Sequence, residues 1–141
     1  WMMKLSVAHW VNILVRPVLH MNMHKFRIWR SIMSIYEKLT KVMSDRDVDA
    51  YVELIHEDAE IVFHKSGNKF SKSEWASMVT GMMGNPKFIN DSSRCVYEND
   101  DILVSHDFMS YPDDTKEAVM LVCMLKDGKI IHMETGATPL N

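Results

Sequence analysis

Residues 101–140 read DILVSHDFMSYPDDTKEAVMLVCMLKDGKIIHMETGATPL. Three apolar runs, Ile102–Val104, Ala118–Leu125 and Ile130–Ile131, are separated by Tyr111-Pro112-Asp113-Asp114 and by Asp127-Gly128. That spacing predicts a three-stranded antiparallel meander with strands of about eight to ten residues. A four-residue turn over Pro112–Thr115 sets His106 opposite Leu121 and Phe108 opposite Val119. Side chains alternate along a strand, so Val104, Cys123 and Leu125 join them on one face. The other face carries Leu103, Ser105, Asp107, Met109, Met120, Val122 and Met124. Both faces are largely apolar, which a lone sheet in water does not tolerate. One face calls for helices, the other for a second copy of the chain.

The 141 residues suffice for one domain with its own core, and 47% hydrophobic with 25% charged residues marks a globular protein. Cys95 and Cys123 both fall in predicted strands and read as buried free thiols in a reducing, cytoplasmic setting. No apolar run reaches the ~18 residues of a membrane span. Basic residues are not clustered on residues 37–141, so neither nucleic acid nor membrane is expected as a partner. Residues 1–36 hold five basic and no acidic residues, against a net charge of −8 for the remainder. Such a stretch reads as a targeting peptide or a membrane-surface helix, or else as a read-through extension or a fragment of something upstream of Met33, where a helical pattern takes over. The expected organisation is an N-terminal extension over 1–30 and a single domain over 31–141. His20 and His24 have the i, i+4 spacing of a metal pair but no third ligand nearby, so no metal is expected. No cofactor motif occurs either: glycine-rich phosphate loop, nucleophile elbow and Cys-x-x-Cys are all missing.

Ile28, Ile32, Ile35, Tyr36, Leu39 and Met43 recur at three- and four-residue steps and predict an amphipathic helix. Ser44–Asp47 breaks it and caps a second helix with the stripe Val48, Tyr51, Val52 and Ile55. Ala59–His64 reads as a strand and Lys65–Asn68 as a turn. Ser71-Lys72-Ser73-Glu74 is a capping box opening a third helix, with Trp75, Met78, Val79, Met82 and Met83 on one face. Gly84 and Pro86 end it. Phe88-Ile89 and Ser93–Glu98 are candidate short strands. Helices that precede and cover an antiparallel sheet define an α+β architecture.

That order resembles the nuclear transport factor 2-like (NTF2-like) superfamily, which includes the SnoaL-like and ketosteroid-isomerase-like proteins. The resemblance rests on Ile35–Leu39, on Asp47–Tyr51 with Leu54–Ala59, on Ser71–Trp75 and on Lys126–Ile131, and covers about residues 33–140. It implies a curved antiparallel sheet of about six strands wrapped as a cone around three N-terminal helices. It also implies an apolar pocket at the open end and often a dimer through the outer sheet face. Members include isomerases, cyclases, hydrolases, dehydratases and plain binding modules, and fold alone does not choose among them. In the steroid isomerases of this group a helix Tyr and a protonated strand acid hold an oxyanion, and an Asp at the end of the first strand moves the proton. Tyr36 matches the Tyr. Leu121 stands at the strand acid, and Phe63 or His64 at the base. The steroid-isomerase set is therefore incomplete.

Three polar residues remain as catalytic candidates. His106, on the expected inner face, is a general base near neutral pH or a core histidine bonded to Tyr36 or to backbone. His64, at a strand end, is a catalytic group at the pocket mouth or an exposed turn residue. Tyr36 donates to a substrate oxygen or simply packs with its hydroxyl satisfied. The pocket is expected to be lined by Phe63, Met78, Met82 and Phe108, with Val119, Leu121 and Met133 completing it. Glu134 depends on the Asp127-Gly128 turn. A three-residue loop turns Ile131, Met133 and Thr135 inward, whereas a two-residue loop turns His132 and Glu134 inward. Two functions fit: cofactor-free acid–base chemistry on a small apolar, oxygen-bearing molecule, or a non-catalytic binding or assembly module acting as a homodimer.

Overall fold

The computed structural model describes residues 33–141. The His20/His24 pair and the expected 1–30 extension lie outside the described residues. Ser34–Asn141 forms one unit.

Helix α1 (Ile35–Asp45) starts where Ser34 and Glu37 satisfy each other's amides, both bonds at 3.1 Å. It ends at Arg46, which is left-handed with φ 53°. Asp47 then caps α2 (Val48–Glu53) by accepting from the Ala50 N–H at 3.0 Å. Strand β1 (Ile55–Phe63) starts four residues earlier than its sequence pattern suggests. The turn after it leads into a short strand, β2 (Asn68–Ser71), which begins on the last residue of the expected Lys65–Asn68 turn. Ser71 caps α3 (Lys72–Met83), which buries Trp75, Val79 and Met83. Strands β3 (Ile89–Glu98), β4 (Ile102–Ser110), β5 (Lys116–Lys126) and β6 (Lys129–Leu140) follow.

The six strands form one sheet in the order β2-β1-β6-β5-β4-β3. It is α+β as expected, but the sheet is mixed, not antiparallel throughout. The β1–β6 pair is parallel, while the other four pairs are antiparallel. No hairpin links the first and last strands, so turn geometry does not dictate their relative direction.

Register decides what faces the helices. Ser110 pairs with Lys116, so five residues, not four, connect β4 to β5. Tyr111 N–H donates to Thr115 O at 2.9 Å, Asp113 accepts from the Thr115 N–H at 3.1 Å, and Asp114 sits at φ 65°. The extra residue shifts β4 by one position against the expected pairing. His106 lies opposite Met120, and Asp107 opposite Val119. Leu103, Ser105 and Met109 are buried, while Phe108 is exposed. The expected inner set on β4 is thus the outer set, and Met109 leaves the expected outer surface for the interior.

The second turn resolves otherwise than by either expected loop alone. Lys126 pairs with Lys129, so Asp127 and Gly128 form a two-residue turn with φ 54° and 73°. A bulge at Ile131 follows, because Leu125 pairs with Ile130 but Met124 pairs with His132. The bulge restores Met133 and Thr135 to the interior, where they are 2% and 7% exposed.

Ile61, Met133, Cys123 and Leu103 then form one row across four adjacent strands, each no more than 2% exposed. This row is the floor of the core. Leu39, Tyr51, Trp75 and Val79 from the three helices close over it.

Candidate functional site

Successive rows above that floor become more polar. The next row is Phe63, Thr135, Leu121 and Ser105, followed by Ala137, Val119, Asp107 and Ser93. Beyond it come Glu117, Met109 and Asn90. These rows and the three helices line a half-open cavity of about 550 Å³. Its wall is mainly apolar. Met78, Met82 and Val79 of α3 face it, as do Phe63, Phe70 and Trp75. The Phe63 ring centroid is 5.2 Å from Trp75 and 5.6 Å from Phe70. Apolar walls with a few converging polar groups are the usual build of a small-molecule site.

Asp107 is the centre of the polar groups. Its carboxylate accepts from Ser105 Oγ at 3.0 Å and from Asn90 Nδ2 at 3.5 Å. Ser93 faces it directly across the β3–β4 ladder. The Ser93 hydroxyl shares a 3.0 Å hydrogen bond with the Tyr36 hydroxyl from α1. Tyr36 itself is anchored by its backbone N–H, which donates to Glu98 Oε2 of β3 at 3.0 Å. A carboxylate at a helix N-terminus is favourable in charge as well as in hydrogen bonding. Helix α1 therefore delivers Tyr36 to the strand pair that carries Asp107 and Ser93.

A second polar group marks the rim. Lys65, in the turn after β1, is ion-paired with Glu117 of β5, and Tyr111 stands beside them. Burial and the Glu117 charge push the Tyr111 hydroxyl well above its ordinary pKa, so it stays protonated. Deeper in, Tyr51 accepts a hydrogen bond from Trp75 Nε1 at 3.3 Å. Burial likewise raises the Cys123 thiol to about 12, which makes it an inert core group.

The expected residues divide cleanly. Tyr36, Phe63, Met78, Met82, Val119, Leu121 and Met133 line the cavity. His106, Phe108 and His64 do not. His106 and Phe108 pack edge-to-face on the opposite side of the sheet, centroids 5.0 Å apart. His64 is 59% exposed and points to Glu134, 3.6 Å away. Glu134 also accepts from His132 at 2.9 Å, which holds its carboxyl below the usual range. This outer group of His64, His132 and Glu134 is separated from the cavity by the sheet. No set of three His, Cys, Asp or Glu among the described residues is placed to hold a metal ion. Cys95 is exposed rather than buried, because β3 is an edge strand with a neighbour on one side only.

Asp107 is the residue that sequence reasoning passed over. The available signal was the length of the Tyr111–Thr115 connection, since one residue there exchanges the two faces of β4.

No family model matches the chain, and no curated protein matches it. Solved structures do. One is an NTF2-like protein of unknown function from Burkholderia xenovorans, with TM-score 0.60 and 16% identity, over 76% of this chain and 84% of that one. A protein from Sphaerobacter thermophilus has TM-score 0.60 and 13% identity, over 75% of this chain and 97% of that one. A steroid delta-isomerase from Pseudomonas aeruginosa has TM-score 0.59 and 14% identity, over 72% of this chain and 75% of that one. At such identities the likeness is one of fold, and the fold of this chain is NTF2-like.

Proposed function

We propose that this chain, with its NTF2-like fold, binds a small apolar, oxygen-bearing molecule and performs cofactor-free acid–base chemistry on it. The observation that carries the reading is a carboxylate, Asp107, set in the apolar wall of a 550 Å³ cavity with hydroxyl groups around it. Asp107 takes the proton-moving role in place of His106 and His64, which lie off the cavity. A carbon acid bound beside it loses a proton to Asp107. The electron pair moves onto the substrate oxygen, and Asp107 returns the proton to a neighbouring atom. Tyr36 and Ser93 complete the wall next to the carboxylate. Leu121, where the steroid isomerases carry an acid, leaves that side of the cavity apolar.

The second reading is a non-catalytic binding module. The Lys65–Glu117 pair favours it, since each neutralises the other at the rim and neither is free to react. In both readings the curved sheet is a cup around the ligand. In both, the outer face pairs two copies, with Phe108, Met120 and Met124, each between 37% and 42% exposed, at the contact. Two free thiols suit a reducing compartment, and the cytoplasm is the proposed setting.

A cavity-filling change separates the binding claim from everything else. Val119→Trp is expected to abolish uptake of 2-acetylnaphthalene, measured by calorimetry, while leaving the fold intact. Undiminished binding by this variant sinks the assignment of the cavity. The dimer is tested by sedimentation, where Met120→Asp with Met124→Asp is expected to yield monomers. A wild-type protein that sediments as a monomer at all concentrations contradicts it.

A further inference from the structure

Tyr51 carries a buried hydroxyl that the Asp107 chemistry does not use. Helix α2 sets its ring against the cavity, 6% exposed. Its partner is the Trp75 indole N–H, which can only donate. The direction of that bond is therefore fixed: the Tyr51 oxygen accepts, and its own proton remains to be placed. Among the described residues no acceptor takes it. Tyr36 and Ser93 share one bond in which either donates, and Ser105 donates to Asp107. Burial keeps the Tyr51 hydroxyl protonated far above neutral pH. A buried donor without an acceptor is costly, and the cost is relieved when a ligand supplies the oxygen.

We propose that Tyr51 is a specificity-determining residue of the cavity: it donates its hydroxyl proton to an acceptor oxygen at the buried end of the ligand, and Trp75 positions it. The inference rests on the cavity being a ligand site. It narrows the ligand class to apolar molecules whose inner end is an acceptor, such as a ketone or an ester carbonyl. A hydrocarbon of the same shape leaves the donor unpaired, and sites built to hydrogen-bond an oxygen reject such analogues strongly.

The test compares 2-acetylnaphthalene with 2-isopropenylnaphthalene, in which a methylene group replaces the carbonyl oxygen. Calorimetry on the full chain is expected to show the ketone bound about tenfold more tightly by wild type, the size of one net hydrogen bond. In Tyr51→Phe that ratio is expected to fall to about one, whereas Tyr97→Phe, an exposed control, keeps it. The infrared carbonyl band of the bound ketone gives a readout that packing alone does not move. It is expected to be downshifted in wild type, to lose the downshift in Tyr51→Phe, and to broaden in Trp75→Phe as Tyr51 loses its anchor. A Tyr51→Phe protein that keeps both the ratio and the downshift overturns the inference. An unchanged band in Trp75→Phe overturns the positioning role, and that variant also serves if Tyr51→Phe does not fold. If wild type binds neither probe, it is the ligand-site reading that fails.

Discussion

His106 and Asp107 are neighbours in sequence and lie on opposite sides of a sheet. One residue of register separates a histidine in the cavity from an aspartate there. The consequences for single side chains are measurable. Cys95 is exposed and Cys123 fully buried, so a thiol reagent is expected to modify one cysteine rapidly in the native protein and the second only after denaturation. Two fast thiols would contradict the placement of Cys123. Burial raises the Cys123 thiol from 9.0 to about 12, and the Tyr51 hydroxyl shifts in the same direction. The unfolded chain therefore releases these protons at a lower pH than the folded one. Stability is full below pH 9 and falls as pH rises above it, by up to about 1.4 kcal/mol per pH unit for each such group. Denaturant midpoints at pH 8 and pH 10.5 check the sign. Leu103, wholly buried in the floor row, is expected to cost about 3 kcal/mol when replaced by Ala. The composition of β4 concealed this arrangement. Val104-x-His106-x-Phe108 and Leu103-x-Ser105-x-Asp107-x-Met109 each mix apolar residues with one titratable group, so hydrophobic alternation does not rank them. The discriminating atoms sit in the turn, where Asp113 and Thr115 are bonded to each other.

The elements themselves were largely legible. The stripe around Leu39, the Asp47 cap, the Ser71 cap and the Asp127-Gly128 turn all appear where residue types demand them. What local patterns do not show is pairing between distant strands. The parallel β1–β6 contact, the edge strand β2 and the Ile131 bulge depend on partners far away in the chain. Arg46 is another such case. Its sequence neighbourhood reads only as a helix break, yet its guanidinium donates to the carbonyl oxygens of Met83, Asn85 and Phe88, at 2.6 to 3.1 Å. It ties the end of α1 to the end of α3. Arg46→Ala is expected to destabilise the protein by about 2 kcal/mol, and Arg46→Lys to recover only part, because one ammonium does not reproduce the planar fork. Full recovery by Lys would remove the geometric account. At Gly128, left-handed at φ 73°, Ala is expected to cost about 1 kcal/mol through backbone strain alone, since nothing crowds the position.

Over residues 33–141, the sheet has one face toward the cavity and an outer face that carries His106, Phe108, Met120 and Met124. The inner rows run from an apolar floor at Ile61, Met133, Cys123 and Leu103 to a polar rim at Glu117 and Asn90. That gradient suits a ligand with most of its surface apolar and a few oxygen groups. No described helix is long and apolar enough to cross a membrane. The measurement that bears most directly on the central claim is deuterium incorporation into the methyl group of 2-acetylnaphthalene in D₂O, followed by NMR. Wild type and His106→Ala are expected to exchange at the same rate, and Asp107→Asn to be slower by about 100-fold, a typical general-base contribution. Exchange that survives in Asp107→Asn, or that is lost in His106→Ala, contradicts the placement of the chemistry at Asp107.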